Sequence, residues 1–128
     1  SKAAQEELKA ADSKARINLH NLYHLAGGNE DFAKEMILSF LETTEKGLTE
    51  MSLACKLDKF DLIADLAHKL LPPSRHIGAS ELCSLLKQTE DSIRKNDNTD
   101  GTAGLIDAAI REFMAIREEI RIHTENKL

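Results

Sequence analysis

The chain has 128 residues, of which 41% are hydrophobic and 30% are charged, and its formal net charge is -5. This length and composition are typical of a single soluble globular domain. The negative charge and the scarcity of aromatic residues, with no Trp and one Tyr, argue against a nucleic-acid partner. Proteins of that class neutralise phosphates with Lys and Arg and stack bases on aromatic rings.

No run of apolar residues approaches the length that a bilayer requires, so we expect no membrane insertion and a cytoplasmic location. Cys55 and Cys83 lie among apolar residues without C-x-x-C spacing, which favours buried free thiols over a disulfide or a zinc site. Because the chain begins with Ser1 and not with Met, we expect it to be a segment of a longer protein.

Residues 1–16 are good helix formers with little to bury beyond Leu8, so we interpret them as a linker or a loosely docked helix. The domain itself is predicted to span residues 17–126. It begins with a short helix that Asn18 caps. Gly27-Gly28-Asn29 ends that helix by supplying backbone angles that branched residues cannot adopt.

Four long helices are predicted: a central one, described below, one before it and two after it. The three outer helices are each predicted from apolar residues that recur at three- and four-residue steps. The first extends from Glu30 to Leu57, and its predicted core positions are Phe32, Met36, Ile37, Phe40, Leu41, Leu48, Met51 and Leu53 or Cys55. The second follows Gly78-Ala79-Ser80, with a stripe of Leu82, Leu85, Leu86, Thr89 and Ile93. After the polar loop of residues 95–101, the last extends from Thr102 to Glu125, with inward positions Leu105, Ile106, Ala109, Ile110, Phe113, Ile116, Ile120 and, at its end, Ile122.

The central helix is predicted over residues 62–79. At about 100° per residue, one side of this helix carries Leu62, Leu66, Leu70, Pro73 and Ile77. His68 lies near the centre of the opposite side, where its neighbours are Asp61, Ala64, Asp65, Pro72 and Arg75. We therefore expect the imidazole of His68 to face water on a helix whose other side is buried.

Two prolines follow His68 within this helix. A proline in a helix interior removes its own N–H and presses on the carbonyl four residues back, which belongs to His68 for Pro72 and to Lys69 for Pro73. We expect a kink or a widened turn between His68 and Pro73, with the apolar face continuous across it.

No stretch alternates with period two for long enough to indicate a strand. The predicted fold class is all-α, an antiparallel four-helix bundle with an additional short N-terminal helix. His20 and His24 have the spacing of metal ligands, but no third ligand is fixed nearby. A metal-binding bundle would need inward Glu-x-x-His pairs, and the sequence contains none. We therefore expect no metal site.

The order of several motifs resembles a histidine-containing phosphotransfer domain of phosphorelays, over residues 17–95. Its most specific part is Ala67-His68-x-Leu70 followed by Gly78-Ala79. The other matching elements are Leu25-Ala-Gly-Gly28-Asn29, Phe32, Phe40-Leu-Glu, Asp65-Leu-Ala, Ile77, Leu82, Leu86 and Thr89-Glu90.

This resemblance implies that His68 accepts a phosphoryl group from a receiver-domain aspartate and passes it to another receiver. It implies no catalytic activity of the domain alone and no cofactor of its own, because Mg²⁺ would come with the acidic receiver site. A monomer is the default for a small bundle of this kind. Together with the resemblance, Ser1 and the polar first helix suggest a domain excised from a hybrid sensor kinase whose receiver precedes it, so that the location would be the cytoplasmic part of a membrane-bound kinase. A truncated free-standing protein fits the sequence equally.

The sequence departs from the family at two positions after the histidine. Such domains usually carry lysine three residues after it and glycine four residues after it, where this chain has Leu71 and Pro72. Lys69 and Arg75 are the candidates to replace the lysine charge, and the wheel favours Arg75. Pro72 must leave room for the partner in another way, and Gly78 belongs to the supporting motif.

Glu90, on the following helix, is the candidate hydrogen-bond partner of the imidazole nitrogen that does not react, because carboxylates fix histidine tautomers in this way. Gln88 is the alternative if the helix phase differs. The loss of the lysine and the glycine leaves a second function open, in which an adaptor bundle binds a receiver-like partner through the His68 face without phosphorylation.

Overall fold

The computed structural model describes residues 15–126 as helices α1 (Leu19–Leu25), α2 (Glu30–Lys56), α3 (Phe60–His76), α4 (Ser80–Arg94) and α5 (Thr102–Asn126). No strand occurs within that range, and none of its helices is long and apolar enough to cross a membrane. The linker prediction for residues 1–14 lies outside the described residues.

The four long helices form a closed bundle. Each of α2 and α4 packs against both α3 and α5, and α1 adds contacts with α2 and α3. The turns of residues 57–59 and 77–79 are short, so consecutive helices run antiparallel. The predicted all-α class and four-helix bundle with a short additional helix are therefore confirmed.

The ends of α1 follow the predicted chemistry. Asn18 caps α1 by accepting a hydrogen bond from the backbone N–H of Asn21 at 3.0 Å. Gly27 and Gly28 then adopt left-handed backbone angles, with φ of 65° and 79°, and Asn29 caps α2 in the same way. The predicted cap and stop signals of this segment are confirmed.

Three of the core positions considered for α2 and α5 are exposed. Leu53 and Ile122 each lie two residues beyond a buried residue, Met51 and Ile120 respectively, which turns their side chains about 200° round the helix. Phe32 lies in the first turn of α2, and 48% of it is accessible. The inward predictions for Phe32 and Ile122 are therefore wrong, and of the alternatives Leu53 and Cys55 it is Cys55 that packs against the core.

Both cysteines are free thiols. They pack against the core from its edge and are half-buried, so the predicted free thiols are confirmed and their burial is partial. Burial still raises the pKa of the Cys83 thiol.

The buried face of α3 is broader than the predicted stripe and is turned away from Leu62 toward Ile63, Ala64 and Leu71. Leu66 and Leu70 are buried as predicted, but Leu62 is 42% exposed and Ala64 is fully buried. The prediction that Ala64 faces outward is therefore wrong. Since α3 packs against both α2 and α4, it buries a broad arc, and the small side chain of Ala64 fits at a close helix contact.

Helix α3 continues through both prolines to His76. The residues from His68 to Pro73 keep the α-helical conformation, so the helix is not interrupted by a widened turn. Leu70, Leu71 and Ser74 remain buried across this region, which confirms the continuous inner face. His68 and Lys69 are exposed, so water can replace the donors that the proline rings remove.

Gly78 lies in the turn between α3 and α4, where the N-terminal segment at Asn18 packs closely against it. Its φ is 71°, and a Cβ atom there would lie 2.5 Å from Cβ and 2.8 Å from the backbone nitrogen of Asn18. The backbone N–H of Asn18 donates to the carbonyl of Ile77 at 2.8 Å. Only glycine satisfies both the backbone angle and this close approach.

We expect Gly78→Ala to lower the free energy of unfolding by more than about 2 kcal/mol, because it combines left-handed strain with displacement of Asn18. Gly27→Ala meets no neighbour within 4 Å and should cost about 1 kcal/mol for the backbone angle alone. Gly104→Ala, in α5, should gain up to about 1 kcal/mol. Urea unfolding followed by circular dichroism measures all three, and equal losses at positions 27 and 78 would contradict the role of the Asn18 contact.

Candidate functional site

His68 lies in the middle of α3, on the side of the helix away from the core. Its side chain is 66% exposed, while the preceding residues Leu66 and Ala67 are buried. The imidazole is therefore attached to a well-packed backbone and is accessible to a macromolecular partner.

The carboxylate of Glu90, on α4, holds one nitrogen of this imidazole. Nδ1 of His68 lies 3.0 Å from Oε2 and 3.1 Å from Oε1 of Glu90, whose side chain is only 9% exposed. Because an ionised carboxylate only accepts hydrogen bonds, this contact favours the tautomer in which Nδ1 carries the proton and donates it. In the neutral ring of that tautomer, Nε2 is the nitrogen with the free lone pair.

Two cationic side chains of α4 lie close to the carboxylate of Glu90. Nζ of Lys87 lies 3.9 Å and Nη1 of Arg94 lies 3.8 Å from Oε1 of Glu90. Arg94 also binds the carboxylate of Asp65, on α3, through Nη2. The positive charge next to the His68–Glu90 pair is therefore supplied by the neighbouring helix.

Sequence reasoning missed Lys87 and Arg94 because it looked for the cation on the histidine's own helix. The signal was present, since Lys87 and Arg94 stand three residues before and four residues after Glu90. At these spacings, side chains share one face of a helix.

Arg75 and Lys69 are exposed, and neither is brought to the His68–Glu90 pair. Arg75 lies seven residues beyond His68, about 10 Å along the helix axis. Its guanidinium acts on Cys83 near the start of α4, where it opposes the larger effect of burial on the thiol pKa. The replacement of the missing lysine by Arg75 is therefore not supported by the geometry.

The remaining predicted site residues lie around the pair without contacting it. Gln88 is exposed, and its side-chain amide donates to the hydroxyl of Ser84 at 3.0 Å. Pro72 is exposed one turn after His68. Gly78 lies about 15 Å along the axis from His68, at the turn that contacts Asn18.

The histidines considered as metal ligands, His20 and His24, are both exposed on α1. Within residues 15–126, no group of three or more His, Cys, Asp or Glu side chains is arranged to hold a metal ion.

The fold is similar to the crystal structure of histidine-containing phosphotransfer protein B (HptB) from Pseudomonas aeruginosa PAO1. The TM-score is 0.79, and the match covers 88% of this chain and 97% of that chain at 21% sequence identity. A search of the curated proteins gives no match. The family model described as Hpt domain matches residues 35–121, which include His68, Glu90 and both cations. The chain therefore belongs to the Hpt domain family, and its role is histidine phosphotransfer in a phosphorelay.

Proposed function

We propose that His68 accepts a phosphoryl group on Nε2 from the aspartate of a receiver domain and passes it to a second receiver. The observation that supports this role is the exposed imidazole whose Nδ1 is held by the buried carboxylate of Glu90. Neutral imidazole is a nucleophile near neutral pH, and this hydrogen bond fixes which nitrogen carries the lone pair.

In the proposed step, the lone pair of Nε2 attacks phosphorus in line with its bond to the aspartate oxygen. The N–P bond forms as the P–O bond breaks, and the aspartate leaves as a carboxylate with the bonding electron pair. The proton on Nδ1 stays between the ring of His68 and Glu90, whose negative charge compensates the positive charge that the ring acquires. In the return step, the same proton keeps the imidazole a good leaving group, so the phosphoryl group passes on.

The partners that we propose are receiver domains of response regulators or hybrid kinases. The domain has no catalytic activity alone in this proposal, because the receiver supplies Mg²⁺ and the acidic site that binds it. We further propose a monomeric domain with a cytoplasmic location, in a hybrid sensor kinase or in a free-standing protein. No nucleic acid or membrane lipid takes part.

The alternative is an adaptor bundle that binds a receiver-like partner without phosphorylation. Leu71 favours this alternative, because it is 3% exposed and supplies no charge at the position where the family usually has lysine. Lys87 and Arg94 weigh against it, because they place two cations beside the His68–Glu90 pair from the other helix. The phosphotransfer role therefore has the stronger support.

His68→Gln is expected to abolish labelling of the protein by receiver domains that carry a radioactive aspartyl phosphate, because the substituted side chain has no nucleophilic ring nitrogen. The label on the wild-type protein should be acid-labile and base-stable, as for phosphohistidine. His76→Gln is the matched control, since His76 is an exposed histidine of the same helix and its loss should leave labelling unchanged. Undiminished labelling of the His68→Gln protein would contradict the assignment.

Glu90→Ala is expected to slow phosphoryl transfer to His68 about tenfold, the size typical of losing a group that orients a functional histidine. Glu90→Gln should recover part of the rate, because its amide oxygen still accepts the hydrogen bond from Nδ1. The initial rate of labelling by one phosphorylated receiver measures both effects. Gln88→Ala is the control on the same helix and should keep the wild-type rate, so equal slowing by the variants at positions 88 and 90 would argue against the Glu90 role.

A further inference from the structure

Arg94 is shared between two carboxylates beside the imidazole. One terminal nitrogen binds Asp65 on α3, and the other lies 3.8 Å from Glu90 on α4. Asp65 stands three residues before His68, so both side chains project from the same exposed face of α3. Arg94 and His68 therefore lie next to the same oxygen, Oε1 of Glu90.

The local charges are matched before phosphorylation. The carboxylates of Asp65 and Glu90 face the cations of Arg94 and Lys87. The third carboxylate, that of Asp91, lies 3.3 Å from Lys87 and 3.8 Å from Lys95, which supplies the third cation. A phosphoryl group on Nε2 of His68 would add up to two negative charges to this face. Guanidinium binds phosphoryl oxygens through paired hydrogen bonds, so the new group competes with Asp65 for Arg94.

The side chains of Asp65 and Arg94 are free to make this exchange. They are 58% and 42% exposed respectively, and each extends from a helix that is fixed by the core. Glu90 is different, because it is nearly buried and is held by His68, Lys87 and Arg94. The solvent-exposed ion pair of the site is therefore the one between Arg94 and Asp65.

We propose that Asp65 and Arg94 set how strongly His68 retains a phosphoryl group. Arg94 binds Asp65 in the unphosphorylated domain and moves to the phosphoryl oxygens when His68 is phosphorylated. Asp65 is the positioning residue, because the cost of breaking its ion pair lowers the affinity of the site for the phosphoryl group and favours onward transfer. This inference rests on the proposed phosphotransfer by His68.

The test is a competition for one pool of phosphoryl groups. Wild-type protein labelled uniformly with ¹⁵N and an unlabelled variant, whose masses are thereby well separated, are mixed in equal amounts with Mg²⁺ and a trace of a receiver domain that labels wild-type His68. The receiver moves the phosphoryl group between the two proteins until the ratio is constant. Intact mass spectrometry reads that ratio, which is independent of how tightly the receiver docks, because the receiver only mediates the exchange.

We expect Asp65→Asn to hold about two- to fivefold more phosphoryl group than the wild type, and Arg94→Gln to hold less by a similar factor, the size of one partly exposed charge pair. In a protein that also carries Arg94→Gln, Asp65→Asn should raise the share of phosphoryl groups by less. The guanidinium that the loss of Asp65 would otherwise free for the phosphoryl group is then absent. Arg121→Gln is the matched control. Arg121 is an exposed arginine of α5 with two carboxylate partners, and α5 packs on α2 and α4 and not on α3.

The inference is overturned if Arg94→Gln holds as much phosphoryl group as the wild type, or if Asp65→Asn holds no more. It is also overturned if Asp65→Asn raises the share of phosphoryl groups just as much in the double variant. That result would show that Asp65 simply repels the phosphoryl group on His68 and that Arg94 takes no part. If no phosphorylated receiver labels His68 at all, the proposed function fails, and this inference fails with it.

Discussion

The site depends on the hydrogen bond that joins Nδ1 of His68 to the carboxylate of Glu90 across two helices. Burying a carboxylate costs free energy unless charges and hydrogen bonds compensate it. Glu90 is 7% exposed and has three compensating partners, namely His68, Lys87 and Arg94. These partners hold the carboxylate in place, and the carboxylate in turn fixes the orientation of a ring that is otherwise open to solvent.

The packing of α3 against α4 makes this bond possible. These two helices are in direct contact, and Ala64 and Ala67 are both fully buried on α3, where small side chains allow a neighbouring helix to approach closely. Phosphotransfer between proteins needs a nucleophile that is accessible and a backbone that does not move, because positioning contributes much of the rate. The bundle supplies the rigid backbone, and the ring of His68 projects from it.

Most of the fold could be predicted from the sequence because it depends on local rules. The apolar periodicity of each long helix, the cap at Asn18 and the stop at Gly27 each involve residues that are close in the chain. The errors at Leu62 and Ala64 arose because the apolar stripe chosen on the helical wheel gave the wrong phase: the buried face of α3 is turned toward Ile63, Ala64 and Leu71, and the neighbouring helices that set it are not visible on a wheel. The burial of Leu53 and Ile122 was overestimated because apolar character alone does not place a side chain on the inner face.

The arrangement of charges around His68 could be predicted only in part. The wheel placed Arg75 on the same side of α3 as His68 but carried no measure of the distance along the helix. Lys87 and Arg94 reach the site from α4, and their position depends on the register between two helices, which no local pattern of this chain specifies. The spacing of both residues from Glu90 becomes informative once Glu90 itself is placed next to His68.

The most direct test of the central claim is the ¹⁵N NMR spectrum of the His68 imidazole before and after phosphorylation. The account predicts that Nδ1 carries the proton in the free protein and that the phosphoryl group is bound to Nε2 in the phosphorylated one. A proton on Nε2 in the free protein, or a phosphoryl group on Nδ1, would contradict it.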